Sequence, residues 1–306
     1  MRTGLIVVTG FSGVLGLGAV VSIDCTGQEP YTVMDVPAYF DEVDGGFQPT
    51  RFAASQWSAA QVVGPALCGL MARELERAHA TDGFVPVRLT VDMFSAARFE
   101  HTTLPTVRVR DGKRIRVADV SVVQGGKVAA RASAVLLQPS EQPPGALWRR
   151  DREPEPPSLA VAPPSALPRV PLFGSAGEWS PLPTEHENDS RKRTWQNPIR
   201  TVTGEELSPF VRAAIVGEAT SMMTNWGDAG IGFINTDMTL ALVRMPEGYE
   251  IGVEADSHFS ERGMAVGTAT LFDRRGSFGS AMVTSVSNAG RQISNAQLDI
   301  AVSARI

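Results

Sequence analysis

Few residue types in this chain could carry out nucleophilic or metal chemistry. There are two cysteines, Cys25 and Cys68, and four scattered histidines, His79, His101, His186 and His258. Two cysteines cannot build a disulfide framework or a four-ligand zinc site, and the histidines lack metal-ligand spacing. Cys68 sits in an apolar helical stretch and reads as a small core residue. The sequence therefore implies no metal and no cofactor. The basic run Arg191-Lys192-Arg193 lies in a polar segment and reads as a solvated loop, with a ligand phosphate as the other reading.

One stretch near the start invites a nucleotide. Val7-Val8-Thr9-Gly10-Phe11-Ser12-Gly13-Val14-Leu15-Gly16 has the glycines that let a backbone approach a pyrophosphate. That motif works only within a run of βαβ units. Here the sequence turns polar by Gly27, and no Tyr-x-x-x-Lys pair follows anywhere. The apolar stretch from Leu5 to Ile23 is also too rich in glycine for a good helix, whether as leader or membrane span. Residues 1–33 are therefore expected to be an extension outside the fold, with Met34 able to serve as a natural start.

Prolines divide the chain into the elements that must position any chemistry. Twelve of its 21 fall between Pro139 and Pro183. Proline fixes φ and donates no hydrogen bond, so this stretch is expected to be an extended, semi-rigid bridge. A loop this long is unusual inside one compact domain. The expected organisation is a first domain over 34–138, a linker over 139–194 and a second domain over 195–306. A chain of 306 residues is long enough for two.

Each flank shows the same order of elements. In the first, Val62, Val63, Ala66, Leu67, Leu70, Met71 and Leu75 recur at helical spacing within Ala59–Ala78. Strands are expected at 85–94, 106–110, 115–123 and 127–137, separated by the turn signals Asp111-Gly112 and Gln124-Gly125-Gly126. In the second, Ser208-Pro209 is a good helix start, with serine as N-cap and proline in the first turn. The helix is expected to run to Met223. Strands follow at 233–244, 249–255, 263–273 and 278–286, with a last one at 298–303. A helix followed by four antiparallel strands, present twice, is an α+β pattern in which each sheet wraps its own helix. The two sheets could pair edge to edge and remove two exposed edges.

Several segments, in this order, resemble the acyl-CoA thioesterase II family. They are Trp57, Val85-Pro86-Val87-Arg88-Leu89-Thr90-Val91-Asp92-Met93-Phe94, Gly126-Lys127-Val128-Ala129, Gly204-Glu205-Glu206-Leu207-Ser208-Pro209, Asn235-Thr236-Asp237-Met238-Thr239 and Leu271-Phe272-Asp273-Arg274-Arg275-Gly276. The resemblance implies a tandem (double) hotdog fold and hydrolysis of acyl-CoA to free fatty acid and CoA. It also implies a site in which an aspartate, a Ser or Thr and a glutamine position and activate water. Asp237 stands in the aspartate's place, Ser257 in that of the hydroxyl residue, and Thr284 where the glutamine would be. Threonine offers one short hydroxyl where glutamine offers two donors and an acceptor on a longer arm.

A helix N-terminus supplies unpaired amides for a developing oxyanion. Asp237 is therefore expected to work against the first helix near Ala60 to Gly64; the Met222-Met223 pair reads as core or tunnel lining, with contact of Met223 to the acyl chain as the other reading. The departure at Thr284 keeps a second reading open, a non-catalytic double hotdog that binds an acyl thioester or a protein. A hotdog hydratase would need an Asp/His loop pair, which His258 beside Ser257 does not supply. The net charge of −5 argues against nucleic acid as a partner. The expectation is a cytoplasmic protein with no stable membrane association, and the resemblance leaves room for a homodimer.

Overall fold

The computed structural model describes residues 36–293. The extension expected over 1–33 and the strand expected over 298–303 lie outside the described residues. The described residues belong to one compact unit.

The alternating patterns become strands with buried inward and solvated outward side chains. The first half opens with β1 (Ala38–Val43) and β2 (Gly46–Pro49), a hairpin turning at Asp44 and Gly45, both at positive φ. Helix α1 (Gly64–His79) follows, and then β3 (Val85–Met93), β4 (Thr106–Asp111), β5 (Ile115–Gln124) and β6 (Lys127–Leu137). Next come β7 (Arg169–Gly174), β8 (Arg193–Asn197), β9 (Arg200–Val202) and two short helices, α2 (Pro209–Gly217) and α3 (Thr220–Asn225). The chain continues through β10 (Trp226–Gly227), β11 (Gly230–Ile231), β12 (Phe233–Asn235), β13 (Asp237–Leu242), β14 (Ile251–Glu261), β15 (Met264–Asp273) and β16 (Gly276–Ser287).

Eleven strands share one antiparallel sheet in the order β4-β5-β6-β3-β13-β16-β15-β14-β8-β7, with β12 paired to β16. The halves join edge to edge through β3 and β13, where Asp92 stands opposite Asp237. Pairing these strands satisfies backbone groups that would otherwise form two exposed edges. A small second sheet, β2-β1-β9, ties the start of the first half to the second half through the parallel β1–β9 pair.

The helices lie on the inner side of the sheet and pack on each other. Gly69 makes this close approach possible: a β-carbon there would fall 2.6 Å from Ile215 Cγ1 and 3.0 Å from Thr201 Oγ1. As a result one continuous apolar cluster runs through both halves, rather than one core per domain. Ser208 caps α2 by accepting the Val211 N–H at 3.1 Å, as its sequence position suggested.

Three helix and strand boundaries differ from the sequence expectations, each for a local reason. The first helix starts at Gly64 instead of Ala59, because Ala54 and Val62 pair as an isolated bridge that holds the preceding loop extended. The helix expected from Ser208 to Met223 is interrupted at Glu218-Ala219. There the amides of Ala219 and Ser221 bond three residues back, to Val216 and Glu218. The long strand expected over 233–244 is divided at Thr236 by a bulge opposite Thr284.

The proline-rich bridge is only partly a linker. Its second half supplies β7, which pairs with β8 at the sheet edge. Its first half is pinned by Arg274, whose guanidinium donates to the carbonyls of Pro157 and Ala162. The run Arg191-Lys192-Arg193 is not a solvated loop. Lys192 is buried, and its ammonium donates to Asn188 O, Asn188 Oδ1 and Ser190 O at 2.7–3.0 Å.

Candidate active site

Where the two halves meet on the helix side of the sheet, a cavity of about 400 Å³ opens. Its walls come from the loop before α1, the start of α1, the interruption between α2 and α3, and β12. Two prolines and Phe173 from the bridge complete it.

Glu218 is the carboxylate on this wall. It is the C-cap of α2, and the helix break turns it towards the first turn of α1. A β-carbon on Gly64 would overlap its Oε1. Asn235, at the end of β12, donates to the same oxygen from Nδ2 at 3.2 Å. Burial pushes the Glu218 carboxyl from its ordinary 4.5 up to about 8, while the Asn235 hydrogen bond pulls it down. A carboxyl held near neutrality is suited to take a proton from water and return it.

The first turn of α1 adds a donor. Val63 gives no side-chain cap, and Pro65 has no N–H. The amides of Ala66 and Leu67 donate to Val63 O at 3.1 and 3.4 Å. The Gly64 amide is therefore left without an acceptor among the described residues, at the positive end of the helix. A carboxyl, a side-chain amide that donates to it and a helix-start amide without an acceptor among the described residues thus converge within one cavity.

The residues expected from the sequence are distributed differently. Gly64 is in the site. Ala60 is exposed in the preceding loop, where its carbonyl accepts the Phe99 N–H at 3.0 Å. Met223 is buried in the core, and its neighbour Met222 lines the cavity instead. Met238 and Leu240 point inward on β13, so alternation turns Asp237 to the outer face of the sheet. There its Oδ1 accepts the Thr284 N–H at 3.0 Å and its Oδ2 the Thr236 hydroxyl at 3.3 Å. Asp237 and Thr284 are thus brought together, but as the two sides of the bulge. Ser257 shares the outer face, bonded to the Thr268 hydroxyl at 2.7 Å. It is three strands from Asp237 in the sheet order, roughly 14 Å. None of the three lines the cavity.

Sequence reasoning missed Glu218 and Asn235. One signal was available: Glu218 is the only carboxylate between Glu206 and Asp228, in an otherwise mostly apolar helical stretch. An acid in such a place is buried at a cost unless it has a use or a partner.

Other chemistry finds no support in the described residues. No three His, Cys, Asp or Glu side chains gather as a metal site. Burial, with Glu218 nearby, pushes the Cys68 thiol well above its ordinary range, which disfavours the nucleophilic thiolate. No helix among these residues is long and apolar enough to cross a membrane.

Known proteins supply the remaining context. The model of the acyl-CoA thioesterase N-terminal domain matches residues 53–137, and that of the acyl-CoA thioesterase C-terminal domain matches residues 154–282. Together they span well over half of the chain, and the second begins inside the bridge. A search of the curated proteins returned no match. Among solved structures, the tesB protein of Mycobacterium avium subsp. paratuberculosis is similar over 81% of this chain and 95% of its own, with 13% identity and a TM-score of 0.56. The acyl-CoA thioesterase II TesB2 of Mycobacterium marinum is similar over 85% of this chain and 96% of its own, with 15% identity and a TM-score of 0.53. A hot dog fold protein of unknown function from Alicyclobacillus acidocaldarius covers 81% of this chain and 95% of its own, with 13% identity and a TM-score of 0.56. At these identities the likeness concerns the fold, a double hotdog. With both halves matched in order by the family's own domain models, the chain belongs to the acyl-CoA thioesterase II family of thioester hydrolases.

Proposed function

We propose that the protein hydrolyses acyl-CoA to the free acid and CoA, and that Glu218 is the base that activates water. The observation that carries this reading is the Glu218 carboxyl, raised to about 8, on the wall of an interdomain cavity at the start of α1. The thioester carbonyl sits with its oxygen towards the Gly64 amide. Water on the Glu218 side gives its proton to the carboxylate as its oxygen bonds to the carbonyl carbon. The tetrahedral intermediate then collapses, the C–S bond breaks, and protonated Glu218 returns the proton to the departing sulfur. Asn235 holds Oε1, which leaves the second carboxyl oxygen for water.

On this reading Asp237 acts at a distance. It holds the bulge at Thr236, and the bulge sets the direction in which Asn235 leaves β12. It is a positioning residue.

The test is thiol release from acyl-CoAs of short, medium and long chain, measured across pH. A free base is needed, so kcat/KM should rise tenfold per pH unit below about 8 and level off above it. A profile that is flat from pH 6 to 9 contradicts Glu218 as base. Binding without turnover across the panel would instead favour the non-catalytic acyl-thioester binder.

A further inference from the structure

The bridge contributes an aromatic side chain to the cavity wall. Phe173 lies on β7, at the far end of the sheet order from β13, yet it lines the same cavity as Glu218. It is 4% exposed and fixed in both backbone directions: its N–H donates to Ser180 O at 2.7 Å, and its carbonyl accepts the Ser180 N–H at 2.9 Å.

What stands behind it is solid. The Phe173 ring meets Trp226 edge to face, with centroids 5.5 Å apart. Trp226 in turn meets the buried His186, and the locked Lys192 ammonium lies 5.8 Å from its ring centroid. His186 is itself tied to Ser175 by a 3.0 Å hydrogen bond, and Asn188 donates to the same hydroxyl at 3.0 Å. An apolar chain that reaches the Phe173 ring would therefore meet an aromatic wall backed by packed side chains.

We propose that Phe173 terminates the acyl-binding channel, so that the bridge sets the longest acyl chain the protein accepts. This rests on the cavity being the acyl site and deepens the functional reading above. The chemistry is apolar matching. Each methylene that finds room inside the cavity strengthens binding about fourfold, and each that does not gains nothing. A plot of affinity against chain length should rise and then break where the chain reaches the Phe173 ring.

The test uses S-alkyl-CoA thioethers of increasing length, which cannot be hydrolysed, titrated calorimetrically into the full-length wild type, Phe173→Leu, Phe173→Ala and Phe173→Trp. The break should move to longer chains in the Leu and Ala variants and to shorter chains in the Trp variant. Beyond the wild-type break, Phe173→Ala should gain about fourfold in affinity per added methylene. Should Phe173→Ala fail to fold, the opposite shifts of the Leu and Trp variants carry the same test. A break at the same length in every folded protein overturns the proposal. Because binding is read without turnover, the outcome is separate from whether Glu218 is the base. If the thioethers bind with no dependence on chain length, the cavity is not the acyl site and both readings fall.

Discussion

Glu218 Oε1 rests on the backbone of Gly64, so the carboxyl of one half fills the space that any larger residue at the helix start of the other half would need. This relationship links two segments 154 positions apart in the sequence and makes the placement of this carboxyl depend on the absence of a side chain.

Gly64→Ala should therefore leave the fold intact while pushing the flexible Glu218 side chain aside. We expect kcat/KM for acyl-CoA hydrolysis to fall by at least about tenfold, with little change in Tm. The magnitude follows from the loss of an aligned base, which contributes roughly 10²–10⁴ when in place. Thermal unfolding and initial-rate measurements on the same preparation check it.

Asn235→Ala removes the one side chain among the described residues that donates to Glu218. Without this donor the carboxyl should become harder to ionise, since the hydrogen bond favours the charged form. The pH–rate profile should move to higher pH, and the rate at pH 7 should fall. An unchanged midpoint would show that Asn235 does not tune the acid.

The raised pKa has a stability cost with a definite sign. Folded Glu218 keeps its proton up to about pH 8, while the unfolded chain releases it near 4.5. Between these values the folded state binds more protons, so stability falls as pH rises through this window and levels off above it. Glu218→Gln escapes the effect. Its Tm advantage over wild type should be small at pH 4.5, grow towards pH 8 and then stay constant, as read by calorimetry at several pH values.

Gly69→Ala tests the packing that brings the halves together. The new methyl would press on Ile215 and Thr201, an overpacking cost of about 1–3 kcal/mol, offset by up to roughly 1 kcal/mol of helix propensity. A net loss of about 1–2 kcal/mol should lower Tm by roughly 2–8 °C.

Much of the fold could be read from the sequence because it rests on local patterns. The hairpin strand Lys127–Leu137 has the bounds its turn and alternation suggested, and Ser208 caps its helix. The edge-to-edge joining of the two sheets also follows from pattern, since two repeated sheets each leave an edge to cover. The bridge was less legible. Proline content marks where a chain is not helical, but Arg169–Gly174 can still pair at a sheet edge, where lost amide donors matter least.

The site was the least legible part. Asp237 stood out because it begins a recognisable strand, yet one bulge decides which way each residue around it faces. A slip of one residue exchanges the inner and outer faces of a strand, and spacing alone does not show it. Asn235 faces Glu218, and Asp237, two positions on and past the bulge, faces outward. Glu218 was hidden for a related reason: its placement comes from a helix interruption and a glycine in the other half, neither of which leaves a local motif.

Thiol release from acyl-CoA, measured with Glu218→Gln and Asp237→Asn side by side, distinguishes the two carboxylates as base. Glu218→Gln should lose about 10²–10⁴ in kcat, while Asp237→Asn, which keeps an acceptor for the Thr284 amide, should stay within about tenfold of wild type. The reverse, a near-normal Glu218→Gln beside an inactive Asp237→Asn, would contradict Glu218 as base and place the base on the outer face of the sheet.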